Sequence, residues 1–332
     1  MKQTFLCLGI ESTAHTFGAS VVSSGGAVLS NEKIVFSSDG AGIIPREVAK
    51  FLQAGKDAVV STALNKAGVD WSSVSLVSFS QGPGIGNCLQ VGLDAVREIG
   101  RRHKLPVVGV NHCIAHLEIG CLVTKARDPV LLYASGANTQ VIAFEGGRYR
   151  VFGETLDVGV GNLLDKFARH LGLGFPGGPK LQQLYFQCAA SDFVPLPYTV
   201  KGMDLAFSGI LTKAKQLADS GRYSNAQLAY SLQEVVFAML VEVAERALAH
   251  CAKDELLLGG GVACSKILQE KARIMCEERG ARLFVPPNDL LVDNAAMIAW
   301  LGILERKAAT KNYSALSIRP YERTDDVEVF WR

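Results

Sequence analysis

Apolar positions along the chain fall into short β-type runs and longer helical stretches, and their order occurs twice. Residues 5–10, 18–23 and 27–36 are apolar runs separated by Ser/Gly turns, the pattern of a meander. A helix is predicted over residues 46–67, just behind Pro45, and a strand over 74–79. The glycine-rich residues 82–86 lead into a helix through His103, and a strand at 107–110 ends at Asn111-His112. The order then restarts. A strand at 130–134 is followed by meander strands at 139–144 and 149–155 and by helices near 162–171 and 179–190. A helix-rich stretch covers 209–252, a strand 255–258, a helix from about Ser265, a strand 282–285 and a helix 290–307.

Two passes of meander, helix, strand and helix predict a duplicated α/β architecture, although sequence identity between the halves is negligible. A first lobe is expected over residues 1–125 and a second over 126–332, with the helix at 290–307 crossing back toward the first. The 332-residue length fits this at ~150 residues per domain. Two meander-led lobes invite a cleft between them, the usual place for a ligand.

Composition narrows the function. With 48% hydrophobic and 20% charged residues the chain is an ordinary globular one, not a disordered one. The best candidate membrane span, residues 232–251, is interrupted by Glu234, Glu242, Glu245 and Arg246 and reads as an amphipathic helix, so no membrane association is expected. Glu11 arrives too early for a signal peptide, which points to the cytoplasm. Eight cysteines without a C-x-x-C pair read as free thiols in a reducing compartment. A net charge of +2 excludes binding of nucleic acid by bulk charge and leaves room for a local patch. Arg97, Arg101, Arg102, His103 and Lys104 crowd one helix end, either complementing its dipole or forming part of an RNA backbone footprint.

The 33 glycines cluster at strand ends. Three junctions carry small or hydroxyl residues after an apolar strand: Gly9-Ile-Glu-Ser-Thr13, Ser135-Gly-Ala-Asn-Thr-Gln140 and Gly259-Gly-Gly-Val262. Glycine lets the backbone approach a phosphate, and helix N-termini add a favourable dipole. Jointly, one loop at the head of each meander and one before a late helix resemble the actin–hexokinase superfamily, with two phosphate loops and an adenosine loop. No G-x-x-x-x-G-K-[ST] loop occurs, and Gly82-Pro-Gly-Ile-Gly86 lacks the acidic partner of a dinucleotide fingerprint.

His112 and His116, four apart, project from one face of a helix and can share a metal ion, or can serve as capping or core residues. Cys113 stands where a metallopeptidase needs Glu, which disfavours peptide hydrolysis. Further ligands would come from distant segments, with Tyr133, Asp157, Asp165, Asp289 and Asp293 as candidates.

At this point nine segments resemble the universal tRNA threonylcarbamoyltransferases, the TsaD-like family, in the archaeal and eukaryotic branch that works within the KEOPS complex. They include GIESTAHTFGASVV (9–22), SQGPGIGNCLQVG (80–92), VNHCIAHLEIG (110–120), YASGANTQV (133–141), GETLDVGVGNLLDKFAR (153–169), FPGGPK (175–180), GGGVACSKIL (259–268) and VDNAAMIAW (292–300). The resemblance covers essentially the whole chain, in order. It implies a two-lobed actin–hexokinase-like fold with a nucleotide site in the interlobe cleft. It implies a metal site of His112, His116, Tyr133 and Asp293, holding one divalent ion, iron or zinc more readily than magnesium. It implies nucleotide-substrate contacts from Tyr133, Ala134, Ser135, Gly136 and Ala137, with Asp165 and Gly178 near the ribose and phosphates. Gln182 and Ser265 stand at nucleoside-contacting positions, and Gly260 and Gly261 belong to the third glycine loop.

The implied reaction moves a threonylcarbamoyl group from threonylcarbamoyl-AMP to the exocyclic amine of the adenosine 3′ of a tRNA anticodon. Glu11 has either a polar catalytic role or a structural one. Implied partners are tRNA, a small dimerising subunit on the N-terminal lobe, and an atypical kinase/ATPase subunit near the C-terminal lobe, fused to this domain in some archaea. Departures from the family pattern are Ala137 for Gly, Gln182 for Glu, Ser265 for Asn, Ala295 for the Gly of Asp-Asn-Gly, and Phe51 and Leu52 where paired histidines are frequent. A nucleotide-binding kinase or ATPase-type scaffold of the same superfamily is the alternative. A kinase would want an Asp in the first loop, where Glu11-Ser12-Thr13 stands.

Overall fold

The first strands form where apolar runs alternate with Ser/Gly turns. The computed structural model describes residues 4–37 and 44–332. β1 (Leu6–Glu11) pairs antiparallel with β2 (Thr16–Ser23), and β2 with β3 (Val28–Val35). α1 (Pro45–Ala67) starts at its proline and ends at Gly68 in the left-handed region. β4 (Val74–Gly82), α2 (Gly86–His103) and β5 (Val107–Asn111) follow, and β4 and β5 add in parallel. α3 (His112–Thr124) comes directly off β5. The sheet order is β3-β2-β1-β4-β5.

The second half repeats that topology. β6 (Val130–Ala134), β7 (Thr139–Glu145) and β8 (Arg148–Glu154) make the meander. α4 (Val160–His170) and α5 (Gly177–Tyr185) follow, then the two-residue strands β9 (Val200–Lys201) and β10 (Asp204–Leu205), then α6 (Ser208–Asp219) and α7 (Asn225–His250). β11 (Glu255–Gly259), α8 (Lys266–Arg279), β12 (Arg282–Phe284) and α9 (Asn288–Leu291) complete it. With β11 beside β6, the order is β8-β7-β6-β11-β12. Each sheet thus has a meander on one side and parallel crossover strands on the other.

The chain divides into two compact units, Met1–Val123 with Asp293–Arg332, and Thr124–Val292. A contiguous division at 125/126 therefore differs for residues 293–332, which pack with the N-terminal segment. The reason is α10 (Ala295–Leu304), an almost wholly apolar helix that lies on β1, β2 and β4 of the first sheet. Gly9 makes this possible, because a Cβ there would stand 2.4 Å from the Ala295 carbonyl oxygen and 2.5 Å from the Ala299 nitrogen. Ser78 adds a hydrogen bond of 2.8 Å to the Ile298 carbonyl.

The single helix expected at 290–307 is two helices. Asn294 is extended (φ −151°), and its Oδ1 accepts the Met297 N–H at 3.0 Å, so α10 starts anew with a side-chain cap. The break leaves residues 292–294 outside any helix. The helix expected at 179–190 ends at Tyr185, and a separate 3-10 turn, Ala190–Asp192, begins at its expected last residue. α7 is long and apolar enough by length and composition to cross a membrane, yet 72% of its apolar window is buried in the unit's own core.

Candidate metal centre

Two local devices set the histidines. Asn111, the last residue of β5, accepts the N–H groups of Cys113 and Ile114 at 3.0 and 3.2 Å and so caps α3. This starts the helix at His112 and puts His116 one turn on, with the rings 4.9 Å apart at 81°. Both are buried. The break between α9 and α10 supplies the third group. Asp293 Oδ1 lies 3.4 Å from His112 Nε2 and 3.5 Å from His116 Nε2. Lys33 holds the Asp293 backbone by donating to its carbonyl at 3.0 Å.

His112 is braced from behind. Its Nδ1 lies 3.1 Å from Glu11 Oε2. Glu11, fully buried at the end of β1, is itself fixed through Oε1, which accepts from the Thr13 N–H at 2.7 Å and from the Thr13 hydroxyl. A carboxylate on the far nitrogen of a ligating histidine fixes its tautomer and raises its basicity.

This arrangement fits a metal ion. One donor atom each of His112, His116 and Asp293 all lie within 4.8 Å of one another, the one such group among the described residues. Two ligands that each bind one ion at about 2.1 Å stand roughly 3–3.5 Å apart, which is the separation of each histidine from Asp293. Two imidazoles and a carboxylate suit iron or zinc better than magnesium.

The protonation pattern points the same way. Burial alone would lower the His112 pKa, but Glu11 and Asp293 outweigh it and hold the imidazole well above its ordinary range. Burial dominates at His116 and lowers it. Burial would raise the Asp293 carboxyl, and the two histidines instead hold it well below the usual carboxylate range. At neutral pH, therefore, Asp293 is ionised, His116 neutral and His112 protonated, and an ion must displace one proton. Metal affinity is expected to fall about tenfold per pH unit on the acid side of the raised His112 pKa and to level off above it. Calorimetric metal titrations in buffers of different ionisation enthalpy should read close to one proton released per ion.

The first glycine junction serves this centre. The Ser12 N–H donates to Ser80 Oγ at 2.9 Å and the Thr13 N–H to Glu11, so both amides, expected to cradle a phosphate, have acceptors inside the unit. Gly82-Pro-Gly-Ile-Gly86 is likewise a packing feature: a Cβ on Gly82 would lie 1.9 Å from the Arg319 carbonyl oxygen.

The expected substrate residues lie in the second unit. Tyr133 is the last residue but one of β6 and is buried. In the loop Ser135–Ala137, the carbonyls of Ser135 and Gly136 accept the N–H groups of Gly161 and Asn162 at the start of α4. Gly260, at φ +88°, backs this loop; a Cβ there would lie 2.3 Å from the Ala134 carbonyl oxygen. Gly261, next to it, opens a 3-10 turn at Gly261–Cys264. Asp165 Oδ1 accepts the Gly177 N–H at 2.7 Å and ties α4 to α5. Gly178, one residue on, has open space where a Cβ would stand. Gln182 Oε1 accepts from Ser265 Oγ at 3.2 Å and the Lys266 N–H at 2.8 Å. The two departures Gln182 and Ser265 thus pair with each other across α5 and α8.

Other sequence candidates have structural work. Asp157 caps α6 by accepting the N–H groups of Phe207 and Ser208, which outweigh burial and lower its carboxyl below the usual range. Arg97 donates to the carbonyls of Tyr313 and Leu316, Arg102 pairs with Glu98, and His103 stacks on Trp71. Arg97 and His103 are thus tied within the unit, while Arg102 pairs along the exposed face of its own helix. The eight cysteines are free thiols, four of them buried. Asn111 was not singled out from sequence, although an Asn directly before a helix is an ordinary capping signal.

The sequence profile of TsaD, tRNA N6-adenosine threonylcarbamoyltransferase, matches residues 26–300. The chain belongs to this family. The tRNA N6-adenosine threonylcarbamoyltransferase of Thermococcus kodakarensis is 49% identical over 327 residues, 98% of this chain and 99% of that one. That of Archaeoglobus fulgidus is also 49% identical over 327 residues, with the same shares. A probable bifunctional tRNA threonylcarbamoyladenosine biosynthesis protein of Methanocaldococcus jannaschii is 47% identical over 98% of this chain but only 60% of its own length.

Among solved structures, component A of the Acidaminococcus fermentans (R)-2-hydroxyglutaryl-CoA dehydratase superimposes with a TM-score of 0.59 at 14% identity, covering 91% of this chain and 99% of that one. HypF of T. kodakarensis gives 0.62 at 14% identity, over 92% of this chain and 48% of HypF. At that identity the likeness concerns the fold, which is the actin–hexokinase-like one.

Proposed function

We propose that this member of the family transfers a threonylcarbamoyl group from threonylcarbamoyl-AMP to N6 of the adenosine 3′ of a tRNA anticodon. The observation that carries the reading is the buried His112–His116–Asp293 set, braced by Glu11, in a chain that belongs to the threonylcarbamoyltransferase family. When bound, the ion supplies Lewis acidity to a carbonyl and orients the acyl group. The protein's part is to hold that ion's ligands rigidly, with Asn111 and Glu11 fixing His112 from two directions. The ion is iron or zinc. Tyr133 is proposed as a further oxygen ligand on its sequence motif; a Tyr133→Phe variant with undiminished metal affinity would remove it from the set.

Ser135, Gly136, Ala137, Asp165, Gly178, Gln182, Gly260, Gly261 and Ser265 are proposed to receive the nucleotide. In support, Gly178 leaves room above α5, and the Gln182–Ser265 pair presents polar groups at the start of α8. Backbone N–H groups there would stabilise the departing AMP, and no nucleophilic side chain is required because the tRNA amine attacks. Glu11 is engaged by His112 and Thr13, so its role is positioning. Glu11→Gln is expected to lower metal affinity about 10–100-fold, read by metal titration, with little change in fold.

The assembly is proposed to be KEOPS in the cytoplasm, with a small dimerising subunit and an atypical kinase/ATPase. The bifunctional relatives, of which this chain matches 60–61%, support a second functional part joined to this one. The deciding experiment combines this chain, threonylcarbamoyl-AMP and tRNA, with and without such subunits, followed by nucleoside mass spectrometry. Threonylcarbamoyladenosine is the expected product; its absence under every combination would sink the reading.

A further inference from the structure

The metal-bearing unit also holds a cavity of about 380 Å³ that the proposed transfer does not use. It lies along β5, on the side where Val107 bonds Thr310, and is closed by the segment after α10. Its lining carries four carboxyl groups, Glu305, Glu322, Asp326 and Glu328, against one guanidinium, Arg319. Glu322 is committed within the fold: Oε1 pairs with Arg319 at 2.7 Å and Oε2 accepts from Asn111 Nδ2 at 3.1 Å.

Glu305 is different. It is 7% exposed, lines the cavity, and its Oε1 has no hydrogen-bond partner. Burial, and then the neighbouring Glu322 and Glu118 carboxyls, push its pKa up to about 8. A buried carboxyl oxygen without a donor is costly, and native structures leave few of them. A cation in the cavity would supply the missing donor and relieve the repulsion.

The chemistry of that cation can be narrowed. Among the described residues the one group of three acidic, His or Cys side chains with converging ligand atoms is the His–His–Asp set, so these four carboxyls do not close on a point as a metal ion requires. The volume lies in the small-molecule range of roughly 300–1,000 Å³. Spread carboxyls in a roomy pocket suit a cation with several directed N–H donors, as a guanidinium has.

We propose that this cavity binds an organic cation, a guanidinium or primary alkylammonium, with Glu305 as its buried acceptor and Asp326 and Glu328 at the mouth. The site is joined to the metal helix. Asn111 caps α3 through Oδ1 and holds Glu322 through Nδ2, so an occupant that shifts Glu322 pulls on the residue that sets His112. The cation is carried either by a free amine or by an Arg or Lys side chain of a protein partner.

Calorimetry on the metal-loaded full chain tests this with three probes: agmatine, the peptide acetyl-Gly-Arg-Gly-amide, and choline, a cation without N–H donors. One-to-one binding of agmatine is expected, no binding of choline, and a loss of at least about tenfold in Glu305→Gln. Peptide binding as tight as agmatine assigns the site to a protein side chain; agmatine alone assigns it to a free amine. Should Glu305→Gln fold poorly, the exposed Asp326→Asn is expected to weaken agmatine by a few-fold. Absence of saturable agmatine and peptide binding overturns the proposal. So does equal affinity in the folded variants, or a manganese site lost with Glu305→Gln.

Discussion

Asp293→Ala is expected to yield a folded chain that no longer retains its metal and no longer forms threonylcarbamoyladenosine. Among the described residues Asp293 is the single carboxylate in reach of both histidines, at 3.4 and 3.5 Å. Without it two imidazoles remain, with Glu11 still facing His112. Losing a group behind a ligand costs 10–100-fold in metal affinity, and losing a ligand should exceed about 100-fold. The fold should survive, because the α10 cap belongs to Asn294 and the ties of α10 to the sheet belong to Ser78 and the apolar face. Metal content by elemental mass spectrometry and product by nucleoside mass spectrometry read the loss, with circular dichroism as the control. His112→Ala should behave the same way. Full metal content and activity in either variant would refute the centre.

Gly9→Ala is expected to damage fold and site together. The added methyl would meet the backbone of α10 at 2.4 and 2.5 Å, and backbone on both sides leaves no flexible side chain to yield. Overpacking of this kind costs about 3 kcal/mol, or roughly 6–12 °C in melting temperature for a unit of this size. Relief requires α10 to move off β1, and Asp293 lies two residues before α10 begins. Metal affinity should therefore fall as well, although Gly9 touches no ligand. Gly178→Ala is the contrast: nothing lies within 4 Å of its Cβ, so thermal melting should barely change.

Most of the architecture was legible in sequence, since the strands are apolar runs bounded by Ser, Gly and Asn. The duplication could be read from the order of elements alone, even with the two halves unlike in identity. The His112–His116 spacing likewise announced a shared face on a helix. Other expectations failed for tertiary reasons. The 290–307 stretch reads as one apolar helix because nothing in its local pattern shows that Asn294 turns extended and caps a new start. The Ser12 and Thr13 amides looked open because their acceptors, Ser80 and Glu11, are set by sheet pairing and a side-chain turn. At the basic end of α2 the sequence leaves both a dipole-complementing and an RNA-facing reading open, because Arg97's partners lie more than two hundred residues away.

By itself the sequence determined the two α/β halves, the pair of histidines and the family, because these rest on local periodicity and on motifs read in order. Only the tertiary structure decided three details: that the packing with the first unit takes in all of residues 293–332, that Asp293 reaches both histidines from a break between two helices, and that Glu11 stands behind His112. Each depends on groups about a hundred or more positions apart: the first two on burying α10 against Gly9 in the first strand, the third on the pairing of β1, β4 and β5. Such a contact leaves no periodic trace in the chain. Gly9 is an ordinary small residue until α10 lies on it.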